Sequence, residues 1–320
     1  MNQHLPLAIY YEHPEWFRPL FAELDRRSIQ YLRIDAGCHG YDATATDRKY
    51  ALFLNRMSAS AYLRGNAQGI FFTRDYLAHL ERIGMRVING CKAFSFEISK
   101  AAQLALLHSM GLATPRSRIV NCATQAVPAA QEIGFPVIVK PNIGGRGAGI
   151  IRFDSALALE RAAAAGEIGF GIDNTALVQE FLPVRGGHIT RVETLGGRFL
   201  YAIKVDTSGE NFNLCPAEIC RTEDGSSAAN TTGLVDAPSA GLKVAGYTPP
   251  QEIIEAVEKI VGAAQIEVGG VEYIVDDRDG GVVYYDINPL SNFVANAPRI
   301  LGFDPHVRLV DYLEDETEGA

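Results

Sequence analysis

Short apolar runs alternate with amphipathic stretches over the first ninety residues. Residues 6–11, 30–35, 50–55 and 85–89 read as strands. Residues 14–27 place Trp16, Phe17, Leu20, Phe21 and Leu24 at the spacing of one helix face. Alternation of this kind predicts a parallel sheet flanked by helices. Residues 95–110 read as one helix, with Ser95 as N-cap and Gly111 as its stop. Pro115 then returns the chain to an extended path. In the next stretch, residues 116–121, 135–140, 150–153 and 176–181 read as strands. Helices are expected at 125–133 and 155–165.

Beyond residue 181, strands at 189–195 and 198–205 flank Gly196-Gly197, a two-residue hairpin signal. Residues 210–247 are polar, rich in Gly, Ser, Thr and Ala, and read as a loop or lid. Residues 251–268 carry Ile253, Ile254, Val257, Ile260 and Val261 on one helical side. Strands at 270–277 and 281–288 follow, and a helix over 304–313 closes the chain. The fold class expected is α/β and α+β, with units at 1–90, 91–115 (a linker helix), 116–181 and 182–320.

The 320 residues are 47% hydrophobic, enough for a large core and about two domains. A net charge of −9 argues against a nucleic-acid partner. The five cysteines are odd in number and scattered, which is no disulfide framework. Cys215 and Cys220 lie close, but without a second pair they do not make a zinc site. The N-terminus lacks a basic signal-peptide region, and no run approaches the ~20 apolar residues of a membrane span. A cytoplasmic chain with reduced thiols is expected.

Three stretches carry chemistry. Lys140-Pro-Asn-Ile-Gly144-Gly145-Arg-Gly147-Ala-Gly149 joins two strands. Its glycines let backbone amides approach an anion, although a flexible hairpin turn would read the same way. The spacing fits neither a Walker A loop nor a dinucleotide fingerprint. Lys140 ends an apolar strand, so its ammonium must snorkel outward or meet an anion. Lys100 is a second candidate cation. In the acidic hairpin, Asp286 and Asn288 share a strand face and Glu272 can converge on them. Such oxygens suit Mg²⁺ beside phosphates; a solvent-facing polar stripe is the alternative. The strand Val178-Gln-Glu180-Phe181-Leu182 could offer backbone groups to an adenine edge. Arg56, at a strand end, is a candidate for gripping a substrate carboxylate. Asn292 and Arg299 are further substrate candidates near the hairpin, and His188 is a candidate base.

In order and spacing, Lys100, Gly111 to Pro115, the 135–140 strand, the glycine loop, 179–182, Arg191, Glu272 and Asp286-Ile-Asn288-Pro289 together resemble the ATP-grasp superfamily. The chain is most similar to the branch of ribosomal-protein glutamate ligases. The resemblance implies a preATP-grasp N-domain and two lobes that sandwich ATP. It implies that Lys100 and Lys140 contact phosphates and the adenine side, and that residues 144–149 close over the β- and γ-phosphates. Glu180, with the backbone of Phe181 and Leu182, would hold adenine. Glu272, Asp286 and Asn288 would bind Mg²⁺, with Mn²⁺ as an alternative. Arg191 would stabilise an acyl phosphate or its tetrahedral successor, with Lys204 as a second donor. The implied partners are a small-molecule or peptide carboxylate and an amine, with self-association left open.

The chain departs from the branch at four places. Ile189 stands where an Asp is usual, and Lys204 where an Arg is usual. Asn211-Phe-Asn-Leu214 replaces an Arg-x-x-Asn-rich segment, and Asp286 replaces the commoner Glu. These departures touch substrate choice and leave nucleotide binding intact. The activity implied is ligation of carboxylate to amine through an acyl phosphate. A carboxylase-like enzyme using bicarbonate and a nucleotide-binding scaffold without turnover are the competing readings.

Overall fold

The computed structural model describes residues 5–207 and 243–318. In the N-terminal part, β1 (Leu7–Tyr11), α1 (Arg18–Arg26), β2 (Tyr31–Asp35), β3 (Leu52–Arg56), α2 (Ala67–Arg82) and β4 (Val87–Ile88) follow in order. The strands form a parallel sheet ordered β2-β1-β3-β4. Strand alternation sends Leu7 and Ile9 towards α1, and Ala8 and Tyr10 towards α2. Both faces are therefore covered, as a parallel sheet requires. The helix α2 was not among the expected elements. Its buried Ile70, Thr73, Leu77 and Leu80 nonetheless carry the helical period.

The expected single helix over 95–110 is two helices, α3 (Cys91–Glu97) and α4 (Lys100–Ser109). Ser99, not Ser95, is the cap that matters, because its side chain accepts the Ala102 amide at 3.1 Å. The break places Lys100 at the first turn of α4.

The middle sheet holds β5 (Ser117–Val120), β6 (Val137–Pro141), β7 (Ile151–Phe153) and β8 (Ala176–Glu180), in the order β5-β8-β6-β7. Its helices α5 (Ala126–Ile133) and α6 (Ala156–Ala165) cover one face through Val137, Val139 and Val178.

The last sheet runs β11-β10-β9-β12-β13 and is antiparallel. Its strands are β9 (His188–Leu195), β10 (Arg198–Asp206), β11 (Val244–Tyr247), β12 (Val268–Val275) and β13 (Val282–Asn288). One face packs on α7 (Gln251–Ala264) through Val192, Ala202, Val271 and Tyr273. Residues 244–247 of the expected loop are thus a strand, whereas 208–242, with Cys215 and Cys220, lie outside the described residues. The helix expected over 251–268 stops at Ala264, with Gln265 at φ +55°, and Val268 already begins β12. Two helices close the chain, α8 (Ala297–Leu301) and α9 (Pro305–Glu318). The mixed architecture agrees with the α/β and α+β class.

Asn89 joins the first sheet to the last. Its Nδ2 donates to the carbonyls of Val268 (2.6 Å) and Pro289 (2.8 Å). Its Oδ1 accepts the amides of Glu267 (2.9 Å) and Val268 (3.3 Å). The residue holds φ +55°, a left-handed conformation that Asn tolerates better than most. Asn89→Gly keeps the backbone unstrained but strands buried polar groups. A loss of about 2–4 kcal/mol is expected. Chemical denaturation checks it; an unchanged midpoint would show that Asn89 joins nothing of consequence.

Candidate active site

The middle and last sheets bound one cleft of about 720 Å³. On the middle sheet, Ile138 and Gln179 are cross-strand partners and, with Lys140, line the cavity. On the last sheet, Glu272 pairs with Arg191 on one side and Asp286 on the other. Directly opposed residues point to the same face. Arg191, Glu272 and Asp286 therefore stand in a row, and all three line the cleft. Gly270, two residues before Glu272, pairs with Glu193 and Asn288 in the next row.

The Arg191 guanidinium is fixed from behind. Its Nε donates to Glu193 Oε1 at 2.6 Å, and another of its nitrogens donates to Ser291 Oγ. Ser291 Oγ in turn donates to Glu193 Oε1 at 2.5 Å. A third nitrogen lies 3.7 Å from Glu272 Oε1. Burial opposes the arginine's charge, but Glu193 and Glu272 outweigh it and hold its pKa above the ordinary value. Glu193 is 1% exposed and fits because Gly270 has no side chain. A Cβ at Gly270 would come 2.9 Å from Glu193 Oε2.

Two carboxylates next to each other call for a cation. Burial and then Asp286 raise the pKa of Glu272, whose Oε2 accepts the Tyr285 hydroxyl at 2.6 Å. Lys100 donates to Asp286 Oδ1. Burial works against the Lys100 charge, and Asp286 more than restores it. Asn288 also lines the cleft, and its buried Nδ2 has no hydrogen-bond partner. Two carboxylates and an amide on one strand pair fit a hard cation such as Mg²⁺. Among the described residues no cluster of three His, Cys, Asp or Glu side chains could hold a metal alone. Phosphate oxygens and water would have to complete the shell.

Lys140 is 5% exposed. Burial, and then the neighbouring Lys100, push its pKa down to about 7. The glycine loop follows directly, and Gly144, Gly145 and Gly147 line the cleft. Gly149, at φ +73°, sits against the Pro141 ring. Asn142 ties this strand end to α4: its Oδ1 accepts the Ala101 amide at 2.9 Å, and its carbonyl accepts that of Lys100 at 3.3 Å. At the far end, Glu180, Phe181 and Leu182 also line the cavity. The Glu180 amide donates to Arg116 O and the Phe181 amide to Pro136 O. The Glu180 carboxylate accepts the Arg116 amide at 2.8 Å. Arg152 lies 4.2 Å over the Phe181 ring.

Four sequence candidates, Lys204, Arg56, Arg299 and His188, are not brought to the cleft. Lys204 pairs with Thr190 and so points to the opposite face from Arg191, where its ammonium lies 4.2 Å over the Tyr247 ring. The cause is a bulge between Phe199 and Tyr201 that shifts the β9–β10 register by one. Arg56 is buried behind the cavity, where it donates to the carbonyls of Pro289 (3.5 Å) and Ser291 (2.5 Å). Arg299 is exposed on α8. Asn292 does line the cleft. His188 bonds Gly186 O through Nδ1 at 3.1 Å and is not part of the lining.

Sequence reasoning missed Glu193, although it shares a strand face with Arg191 two residues away. It also missed Glu97, whose carboxylate lines the cleft and accepts the amides of Ala59 (3.0 Å) and Leu290 (2.9 Å). Burial raises the Glu97 pKa. Trp16, Ser58 and Ser60 bring the N-terminal part to the same cavity.

A cleft between two sheets, with lysines and a glycine loop on one wall and a carboxylate row on the other, is the arrangement of an ATP-grasp fold. Residues 99–304 match the family described as the ATP-binding domain of the carbamoyl-phosphate synthase L chain, and the protein belongs to that ATP-grasp family. The carbamoyl phosphate synthase large chain of Thermotoga neapolitana is 26% identical over 231 residues, which are 70% of this chain and 19% of that one. The chain thus spans about a fifth of this relative's length. Among solved structures, a RimK domain ATP-grasp protein from Sphaerobacter thermophilus covers 96% of this chain and 98% of its own, with a TM-score of 0.67 at 16% identity. The ATP-grasp ligase PsnB, solved with a phosphomimetic variant of a minimal precursor, Mg and ADP, covers 99% and 100%, with a TM-score of 0.65 at 17% identity. These two likenesses are of fold.

The Lys140 pKa has a measurable consequence. Its folded value of about 7 lies below the ordinary 10.5, so the folded state binds fewer protons than the unfolded state between those limits. Lys140 therefore costs stability below about pH 7, and the cost is shed as the pH rises towards 10.5. An anion placed beside it restores the ammonium. At pH 8, ATP binding is expected to draw in close to one proton per site, read by calorimetry in buffers of unlike ionisation enthalpy. Equal uptake in Lys140→Met would assign the proton elsewhere.

Proposed function

We propose that the protein is an ATP-dependent carboxylate–amine ligase that works through an acyl phosphate. The observation that carries this reading is the row Arg191–Glu272–Asp286 lying across one cavity from Lys140 and the glycine loop. Phosphoryl transfer asks a protein mainly to position groups and neutralise charge. Lys140 and the 144–149 amides face the phosphates. An adenine edge would use the Phe181 carbonyl and the Leu182 amide, since the amides of Glu180 and Phe181 are already engaged. Glu272, Asp286 and Asn288 would hold Mg²⁺, which when bound neutralises the β- and γ-oxygens.

In the first step a carboxylate oxygen bonds to the γ-phosphorus, and ADP leaves with the electrons of the broken P–O bond. Lys100 has to give up Asp286 as the charges rearrange. An amine then attacks the acyl carbon. The oxyanion that forms is stabilised by Arg191, which Glu193 and Ser291 hold in place before the reaction begins. Collapse releases phosphate and leaves the amide. A peptide or a small molecule would be the acceptor, by analogy with the fold.

The reading is tested by release of ADP and phosphate that depends on both an acid and an amine. Lys140→Ala and Asp286→Ala are each expected to cut ADP formation by about a hundredfold or more. Lys204→Ala is expected to leave it within twofold. ATP binding without turnover across a broad panel would favour a scaffold. Release that needs bicarbonate and no amine would favour a carboxylase-like enzyme.

A further inference from the structure

Glu97 places a carboxylate on the cleft wall that the ligase steps above leave unused. Its Oε1 accepts the Ala59 amide at 3.0 Å, and its Oε2 accepts the Leu290 amide at 2.9 Å. A carboxylate has about four lone-pair sites, so each oxygen keeps room for a further donor. Among the described residues Glu97 forms no ion pair. Lys100, whose charge reaches it, is bound to Asp286. The Nη atoms of Arg56 donate to the carbonyls of Pro289 and Ser291. Burial raises the Glu97 pKa, and a cation set against the carboxylate would offset that penalty.

The surroundings suit a primary ammonium. The Ala59 amide held by Glu97 lies between Ser58 and Ser60, whose hydroxyls are 2.8 Å apart and line the same cavity. An ammonium has three donors and no acceptor, and Glu97 with the serine pair presents acceptors to it. A carboxylate substrate is repelled by Glu97 and drawn to the wall of Lys140 and the glycine loop. The two reactants are thereby sorted along the cleft by the sign of their charge. Trp16, the only tryptophan of the chain, watches this end of the cavity. It is 8% exposed, and its buried Nε1 has no hydrogen-bond partner. Arg64, bound to Glu12, lies 4.6 Å over its ring and donates to Ser60 Oγ at 3.3 Å. A molecule settling beside the serines therefore disturbs the indole.

We propose that Glu97 is the anionic anchor of the amine substrate, receiving it as a primary ammonium beside Ser58 and Ser60. This deepens the ligase reading above and rests on it. Trp16 emission is titrated in the full chain, with Mg²⁺ and ADP present and ionic strength fixed. The probes are glycinamide, a cation at neutral pH, and glycolamide, its uncharged isostere. Glycinamide should change the emission saturably, and glycolamide should need roughly ten times the concentration or more. Glu97→Gln should weaken glycinamide binding by about ten- to a hundredfold and leave ADP affinity within twofold. Equal responses to the two probes, no response to either, or undiminished glycinamide binding in Glu97→Gln overturns the anchor and leaves the ligase reading standing. Should the variant not fold, the comparison of the two probes in the unaltered protein decides. Absence of ADP release with every acid and amine pair overturns the ligase reading, and with it the amine's role as nucleophile, whatever the emission shows.

Discussion

The site depends on strand register. Three strands of the last sheet are aligned so that Arg191, Glu272 and Asp286 are directly opposed. Side chains alternate with a period of two, so a slip of one residue in either pairing would turn part of the row towards α7. Everything chemical in the cleft follows from that alignment. The paired carboxylates repel each other and demand a cation, and the arginine beside them gains a partner that offsets its burial.

Groups behind the row keep it in place. Arg56 and Asn89, at strand ends of the first sheet, both donate to the Pro289 carbonyl. Glu97 accepts the Leu290 amide, and Ser291 bridges Arg191 and Glu193. Pro289 and Ser291 are thus tied to strand ends of the first sheet, and Leu290 to α3. The N-terminal part holds the loop after Asn288 from behind, and through Trp16, Ser58 and Ser60 it also supplies cavity wall.

Much of this was legible in the sequence, for definable reasons. Apart from β11, which lay inside the expected loop, the strands of the three sheets follow from alternating or continuous apolar runs. Lys140, the glycine loop and the Glu272–Asp286 hairpin stand out because their residue types are awkward anywhere else. The helix break at Ser99 did not show, because Ile98 continues the apolar pattern across it. Lys204 was misplaced for a sharper reason. A regular hairpin about Gly196-Gly197 pairs residue 204 with 189, on the Arg191 face, and the bulge at Leu200 moves it to 190. Backbone irregularities of one residue leave no mark on hydrophobic periodicity. Arg56 was placed at the right strand end, but its burial depends on a loop more than two hundred residues away.

The helix α4 is fastened to two sheets near its N-terminal end. Asn142 holds its first turn to the middle sheet, and Gln103, one turn on, grips both backbone groups of Ile287 in the last sheet. Two walls pinned to a common axle cannot slide apart at the axle. They can only swing about it, as covers swing about a spine. The gap between Lys100 and Lys140 would then stay constant through every breath of the molecule, and the mouth would widen only at points remote from them.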